Sequence, residues 1–339
     1  MVTIKDVARE AGVSVASVSR ALNGHGGVTA QTQARIREVA TRLRYVPHVA
    51  ARSLITRRTH TVGTLLPDLH GEFFSELIRG IDLAARARGQ HLLVSSSHDD
   101  TAEVAAVLQA MQGRVDGLLV MLPQVDTAFL QQNLPIGLPV VLMNTAHDTP
   151  EHASLEVDNY GGASRMMQHL LDIGRRRIAF VQGPAGNRDV AERERAYRDA
   201  LVRRLPGAEP IVLPGDFSEA SGYAAGERLR RLDPLPDAVF AANDMMAIGC
   251  MAALREAGLR IPEDVALAGF DDVQMTRYVT PALTTVRVHI AQLGSDALAL
   301  LDAQVDGQLA PAERHRQIPT ELVVRASTRG TDHAGADRR

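Results

Sequence analysis

A chain of 339 residues with an ordinary apolar content is too long for one small core and implies two or three domains. One cysteine, Cys250, excludes an internal disulfide, no Cys/His cluster has metal-ligand spacing, and no apolar run reaches membrane-spanning length. The formal net charge of −3 hides a division: residues 1–60 carry one Lys and nine Arg against three acidic residues, about +7, which leaves about −10 on the remainder.

In chain order, Thr3 to Asn23 is predicted to form helix, tight turn, helix. Thr3 caps the first helix with Asp6 as its capping-box partner, and Gly12 supplies the left-handed residue that ends it. Ser14 caps the second helix, on which Val18 and Leu22 share a face. Thr29 opens a third helix, where Ile36, Val39, Ala40 and Leu43 recur at helical spacing. Three short helices with such a turn between the first two make a helix-turn-helix head, and its positive charge suits salt-dependent contact with DNA phosphates. The second helix is expected in the major groove. Val15 and Ala16 then face base edges, where small apolar side chains suit thymine methyls, unless the head's core partly buries them. Ser14, Ser17, Ser19, Asn23 and Thr32 suit phosphates, and Arg20 reaches either a base or a phosphate. A helix-turn-helix used only for packing is the bland alternative.

From residue 62 the pattern changes to short apolar runs alternating with helices. Strands are predicted at 62–68, 92–94, 117–121 and 140–143, with helices at 74–88 and 104–111. The alternation repeats with strands at 177–181, 211–213, 238–242 and 265–270 and helices at 160–173, 189–205, 218–232 and 245–257. Two such blocks imply two doubly wound α/β lobes, each a parallel sheet covered on both faces. Cys250, between Gly249 and Met251, is read as a packed core thiol. The opening Met-Val-Thr-Ile-Lys-Asp is no signal peptide, so a cytoplasmic protein is expected, and the polar stretch 329–339 is expected to fray.

In open α/β sheets, ligands settle beyond the carboxyl ends of the strands. The candidates there are Asp68, Phe73 and Phe74 after the first strand, and Phe217 after the strand at 211–213. Asn243 and Asp244 follow the strand at 238–242, Asp271 and Asp272 follow 265–270, and Arg193 lies early in the helix at 189–205. Carboxylates, an amide, a guanidinium and aromatic faces suit a polyhydroxylated ligand. Plainer roles exist: a helix cap for Asp244, a cap or turn for Asp272, core for Phe217, and a solvated helix face for Arg193 among Glu192, Glu194 and Arg195. No cofactor is expected. There is no glycine-rich dinucleotide fingerprint, phosphate-binding loop or nucleophile elbow, and the pairs Asp99-Asp100 and Asp271-Asp272 are too close in sequence to flank a substrate, so an enzyme is not expected.

The strings Thr3-Ile4-Lys5-Asp6-Val7-Ala8, Ala11-Gly12-Val13-Ser14, Val18-Ser19-Arg20, Leu22-Asn23, Tyr45-Val46-Pro47 and Ala51-Arg52-Ser53-Leu54 resemble the LacI/GalR family of bacterial transcription repressors. The resemblance continues to about residue 328. It implies a helix-turn-helix head at 1–47, a hinge helix and linker at 48–60, a two-lobed periplasmic-binding-protein-like effector and dimerisation domain at 61–328, and a tail at 329–339. Three chain crossings near Asp158, Thr285 and Pro319 would divide lobe one (61–158 and 288–318) from lobe two (159–285 and 319–328), with residues 290–306 returning to lobe one. The resemblance extends the DNA-facing set to Thr3, Tyr45, His48, Ala51 and Leu54, the last as a minor-groove wedge or else a hinge-packing residue. Val49 to Arg58 is too short for a stable helix alone and is expected to order when two copies pack on DNA. The resemblance also implies Arg193, four residues before Tyr197, the Asn243-Asp244 pair and Asp271 as effector contacts, with Phe73, Phe74 and Phe217 at positions that are aromatic in the purine-binding member. The function implied is a homodimeric, ligand-controlled regulator that binds double-stranded operator DNA, a repressor of a carbohydrate-utilisation operon released by a sugar inducer. The alternatives are a corepressor-dependent regulator answering to a non-sugar metabolite and a solute-binding protein of the same two-lobe fold.

Overall fold

A computed structural model describes residues 2–23, 27–45, 58–98, 100–145 and 152–329. His48, Ala51 and Leu54, with most of the expected hinge, lie outside the described residues, as does the tail beyond Arg329. The chain divides into two compact units between Thr59 and His60.

The first unit holds helices α1 (Ile4–Ala11), α2 (Val15–Asn23) and α3 (Ala30–Arg42). Local chemistry sets their ends. The Asp6 carboxylate accepts hydrogen bonds from the Thr3 N–H at 2.9 Å and the Thr3 hydroxyl at 2.7 Å, and Gly12 ends α1 at φ 60°. Ser14 Oγ accepts from the Ser17 N–H at 3.1 Å, and Thr29 Oγ1 from the Thr32 N–H at 3.3 Å. Val7, Val18 and Ile36 are wholly buried, ringed by Ala8, Ala11, Ala21, Val39 and Ala40. So small a core is reinforced by side-chain ties: Gln33 Nε2 donates to the Ala21 carbonyl at 3.2 Å, Arg35 donates to the Ala11 carbonyl, and Arg42 pairs with Glu10 at 2.7 Å.

In the second unit, β1 (Thr61–Leu66), α4 (Glu72–Ala87), β2 (His91–Ser96), α5 (Thr101–Met111), β3 (Gly117–Met121), α6 (Thr127–Asn133), β4 (Val140–Met143) and β5 (Ala153–Val157) follow in order. The next elements are α7 (Asn159–Asp172), β6 (Ile178–Val181), α8 (Arg188–Arg204), β7 (Ile211–Leu213), α9 (Glu219–Leu229), β8 (Ala238–Ala241), α10 (Asp244–Glu256) and β9 (Ala266–Ala268). The chain then runs through β10 (Thr285–Arg287), α11 (Ile290–Val305), β11 (His315–Ile318) and β12 (Glu321–Val323). One sheet has the order β11-β5-β4-β3-β1-β2 and the other β7-β6-β8-β9, all parallel. Every residue of β3, β4, β6 and β8 is buried, the mark of strands covered on both faces.

Three segments link the lobes. Asp158 follows β5 and caps α7, while β10 and β12 pair antiparallel beside the two sheets. Helix α11 returns to the first lobe and packs on α4 so closely that a Cβ on Gly80 would sit 2.1 Å from the Ala291 carbonyl oxygen. Any side chain at Gly80 would therefore push the two helices apart.

Six elements have no counterpart among the predicted helices and strands: α6, β5, β10, α11, β11 and β12. Helix α6 has only seven residues, β5 is broken by Glu156, and β11 reads His-Arg-Gln-Ile and is mostly exposed, so none shows a clear periodicity. The run expected as a strand over 265–270 shortens to Ala266–Ala268, because Asp271 and Asp272 turn the chain at φ 119° and 58°.

Candidate functional sites: a recognition helix and an interlobe cleft

Helix α2 presents Ser14, Val15, Ala16 and Arg20 to solvent, with Val15 41% exposed, while Val18 and Ala21 point into the core. Both small apolar candidates for base contact are thus on the surface and take no part in the packing. The hydroxyls of Ser14 and Ser17 lie 2.9 Å apart, as do those of Thr29 and Thr32, and Arg20 folds back to donate to the Ala16 carbonyl at 3.3 Å. Ser19 is half-buried and Thr3 exposed. Tyr45 packs against the head's core and is half-buried. Asn23 ends α2.

In the second unit, the carboxyl ends of β1, β3, β4, β6, β7 and β8 converge on a cleft between the lobes with a cavity of about 220 Å³. Asp68, Phe73, Phe74, Arg193, Phe217, Asn243 and Asp271 all line it. Phe73 and Phe74 meet edge to face with centroids 5.4 Å apart. Phe217 holds φ 74° and lays its ring over Gly183, where a Cβ would come within 2.6 Å of it. Glycine at 183 is what leaves room for that ring beside the cleft.

The floor of the cleft is a buried polar cluster. The Arg193 guanidinium stacks 3.8 Å above the Phe270 ring, donates through Nε to Asn159 Oδ1 at 2.8 Å and through an Nη to the Ala242 carbonyl at 2.5 Å. The plain reading of Arg193 as part of a solvated face is thereby corrected: the side chain is 5% exposed. One turn of α8 points inward here, and its arginine finds a ring, an amide and a carbonyl there. Asp271 Oδ1 lies 3.7 Å from Arg193, too far for a hydrogen bond, and its side chain is 7% exposed. Among the described residues no donor bonds to that carboxylate. Burial pushes its pKa up to about 7, against the pull of Arg193 and with the push of Asp189. A buried carboxylate with unused lone pairs, facing a cavity, is an acceptor for hydroxyl groups.

Sequence position and role part company at three residues. Asn243 lines the cleft, but its Oδ1 caps α10 at the Met246 N–H, 3.0 Å, and its Nδ2 donates to the Phe217 carbonyl, 3.0 Å, so its amide anchors the aromatic loop. Asp244 is neither cap nor cleft residue. Wholly buried, it accepts from the Val273 N–H at 3.0 Å and the Thr285 hydroxyl at 2.5 Å, tying α10 to the crossing strand β10. Asp272 is also more than a turn residue. It accepts from Arg325 at 2.5 Å and from Arg287 Nε at 2.7 Å, and these two partners outweigh burial and hold its pKa below the ordinary carboxylate range. Asp271 in the cleft is thus followed directly by a residue that clamps two of the linking segments.

The composite of a helix-turn-helix head and a two-lobed cleft has clear relatives. The model of bacterial regulatory proteins of the lacI family matches residues 3–48, and that of a periplasmic binding protein-like domain matches residues 167–328. Catabolite control protein A of Priestia megaterium is 33% identical over 331 residues, covering 97% of this chain and 99% of that protein. The chain belongs to the LacI family. Among solved structures, the Lac repressor dimer bound to operator and the anti-inducer ONPF has a TM-score of 0.87 at 27% identity, covering 96% of this chain and 99% of that one. A LacI-family regulator from Enterococcus faecium with bound ribose has a TM-score of 0.70 at 29% identity, covering 79% and 98%. Among the described residues of this LacI-family chain, no helix is long and apolar enough to cross a membrane and no cluster of His, Cys, Asp and Glu is placed to hold a metal ion.

The cleft also contains polar residues that the sequence reading passed over. Asn144, directly after β4, donates to Asp189 Oδ2 at 3.0 Å, and Asn159 donates to Asp189 Oδ1 at 2.9 Å. The rule of polar residues at strand ends points to Asn144. Burial raises the pKa of Asp189 to about 6 despite Arg193 and the two asparagines. The bond from Asn144 to Asp189 crosses between the lobes, as does that from the Met275 N–H to Glu72 Oε2 at 3.1 Å. A pH prediction arises from this cluster. Arg193 and the titratable carboxyls of Asp189 and Asp244 face Asp271, burial holding Asp244 well above the ordinary carboxylate range, and the ionised form of Asp271 is the stronger acceptor. If the ligand binds the ionised form, its affinity is half lost near pH 7 and falls about tenfold from pH 8 to pH 6. Calorimetric titration across that range checks it, and a pH-independent affinity would show that the ligand does not use Asp271.

Proposed function

We propose that this chain is a ligand-responsive, sequence-specific DNA-binding transcription regulator, a cytoplasmic homodimer that represses a carbohydrate-utilisation operon and is released by a sugar inducer. The observation that carries the reading is the buried Asp271 carboxylate, ion-paired with Arg193 at 3.7 Å but accepting no hydrogen bond from the described residues, at a cleft with three phenylalanines, in a chain whose other unit exposes a recognition helix. The bound ribose of one relative and the operator bound by another support sugar and DNA as the two ligands. In this reading Val15 and Ala16 meet base edges. Thr3, Ser14, Ser17, Ser19, Asn23 and Thr32 meet phosphates, with Arg20 at either. Tyr45, His48, Ala51 and Leu54 belong to the hinge end of the DNA surface, Leu54 as the wedge that unstacks a central step. The cleft residues Asp68, Phe73, Phe74, Arg193, Phe217, Asn243 and Asp271 form or support the effector site. The chain works by binding, as a regulator and not an enzyme.

The test is a salt series with a roughly palindromic operator. The full-length dimer is expected to lose roughly a thousandfold in affinity or more between 50 and 200 mM salt, because its phosphate contacts release counterions. A fragment of residues 60–339 is expected to bind sugar and not DNA. Specific DNA binding by that fragment would contradict the assignment of the head.

A further inference from the structure

We infer that the cleft takes an uncharged sugar and rejects phosphorylated or carboxylated forms of it. The inference rests on the reading of the cleft as a sugar site and narrows its ligand class. Six carboxylates line the cavity, those of Asp68, Glu72, Asp189, Asp216, Glu219 and Asp271, against a single arginine. That arginine is already committed to Asn159, the Ala242 carbonyl and the Phe270 ring, so it is no free anion receptor.

Apart from His70, which also lines the cavity, the remaining positive potential at such a cleft comes from helix N-termini, which in many proteins bind phosphate. Here α4, α8, α9 and α10 all begin at the cleft, and the first three carry a carboxylate in their first turn that lines it: Glu72, Asp189 and Glu219. Three of the four also have a side-chain cap. Asn187 accepts from the Val190 N–H at 3.1 Å, Ser218 from the Ser221 N–H at 3.1 Å, and Asn243 from the Met246 N–H at 3.0 Å. The protein has filled with its own acids and caps the positions an anionic ligand would need. An incoming phosphate would meet like charge at three of these helix starts and would find one amide of each capped helix already bonded. The four dipoles in turn offset much of the acids' charge, so the site is also not a trap for cations. What remains is hydrogen-bond acceptors for hydroxyls, led by Asp271, and the rings of Phe73, Phe74 and Phe217 for the apolar faces of a sugar ring.

The experiment is a thermal-shift and calorimetric panel on the full-length protein at pH 8, using matched sets. The sets are D-ribose with ribose 5-phosphate; D-glucose with glucose 6-phosphate, glucuronate and glucosamine; cellobiose; and adenosine with its monophosphate. At least one neutral sugar is expected to raise Tm, and its charged counterparts to bind about tenfold more weakly or worse. A double variant, Glu72→Gln with Glu219→Gln, is expected to narrow that gap by admitting the phosphate. A phosphorylated, carboxylated or amino sugar that binds as tightly as its neutral parent overturns the inference and leaves the sugar reading standing. Adenosine binding without its monophosphate, and with no sugar active, overturns the sugar reading while the exclusion of anions stands. A gap unchanged in the double variant shows that these acids do not set the preference, and silence from every compound overturns both.

Discussion

Replacing Arg193 by methionine is expected to destabilise the second unit by about 3–5 kcal/mol, the cost of removing one partner from a buried charged cluster. The substitution keeps a long side chain over Phe270 but leaves Asn159 Oδ1, the Ala242 carbonyl and the Asp271 carboxylate without their cation. The sign of its pH dependence follows from Asp271. Burial already raises that carboxyl to about 7 with Arg193 in place, so ionising it costs folding stability, a cost complete above pH 7 and absent below the ordinary carboxylate range. Without the arginine the cost grows. The loss measured by chemical denaturation is therefore larger at pH 8 than at pH 5, and adding Asp271→Asn to the variant recovers part of it at pH 8. A loss below about 1 kcal/mol, the same at both pH values, would mean that Arg193 is not part of a coupled buried cluster.

The head and the two α/β blocks were legible because their signals are local. Thr3, Gly12, Ser14 and Thr29 announce helix ends through their own side chains or backbone freedom, and runs such as Gly117–Met121 and Val140–Met143 have no polar position to obscure a buried strand. What the sequence concealed depends on partners far along the chain. Strand β11 exists because β5 offers it a parallel edge, 161 residues away for the pair Ser154 and His315. Arg193 stands among charges that face solvent, and only the fold reveals that it alone of Glu192, Glu194 and Arg195 is buried. Asp244 and Asp272 sit where a cleft residue belongs by position, yet Thr285, Arg287 and Arg325 draw them toward the linking segments. The rule of strand ends located the cleft, but it does not distinguish a residue that meets a ligand from one that holds the residue that does. Asn243 is the clearest case, with both ends of its amide spent on Met246 and Phe217.

That division of labour ties the cleft to the segments that link the lobes. In the proposed function a sugar hydroxyl bonds Asp271, a residue held at φ 119°, and the next residue, Asp272, grips Arg287 on β10 and Arg325 after β12. Occupation of the cleft would thereby bear on the segments that link the lobes. Asp271→Asn keeps the shape of the side chain and the tolerance of asparagine for positive φ, and removes the charged acceptor. Loss of a charge-assisted hydrogen bond is expected to cost about 1.5–3 kcal/mol of ligand binding, roughly tenfold to more than a hundredfold in affinity.

The most direct measurement is an operator titration of wild type and Asp271→Asn, each with and without the sugar that raises Tm in the panel. The expected result is equal operator affinity for the two proteins without sugar, release of wild type as sugar is added, and release of the variant only at roughly tenfold or greater sugar concentration. Release of the variant at the same sugar concentration as wild type would show that Asp271 does not read the effector.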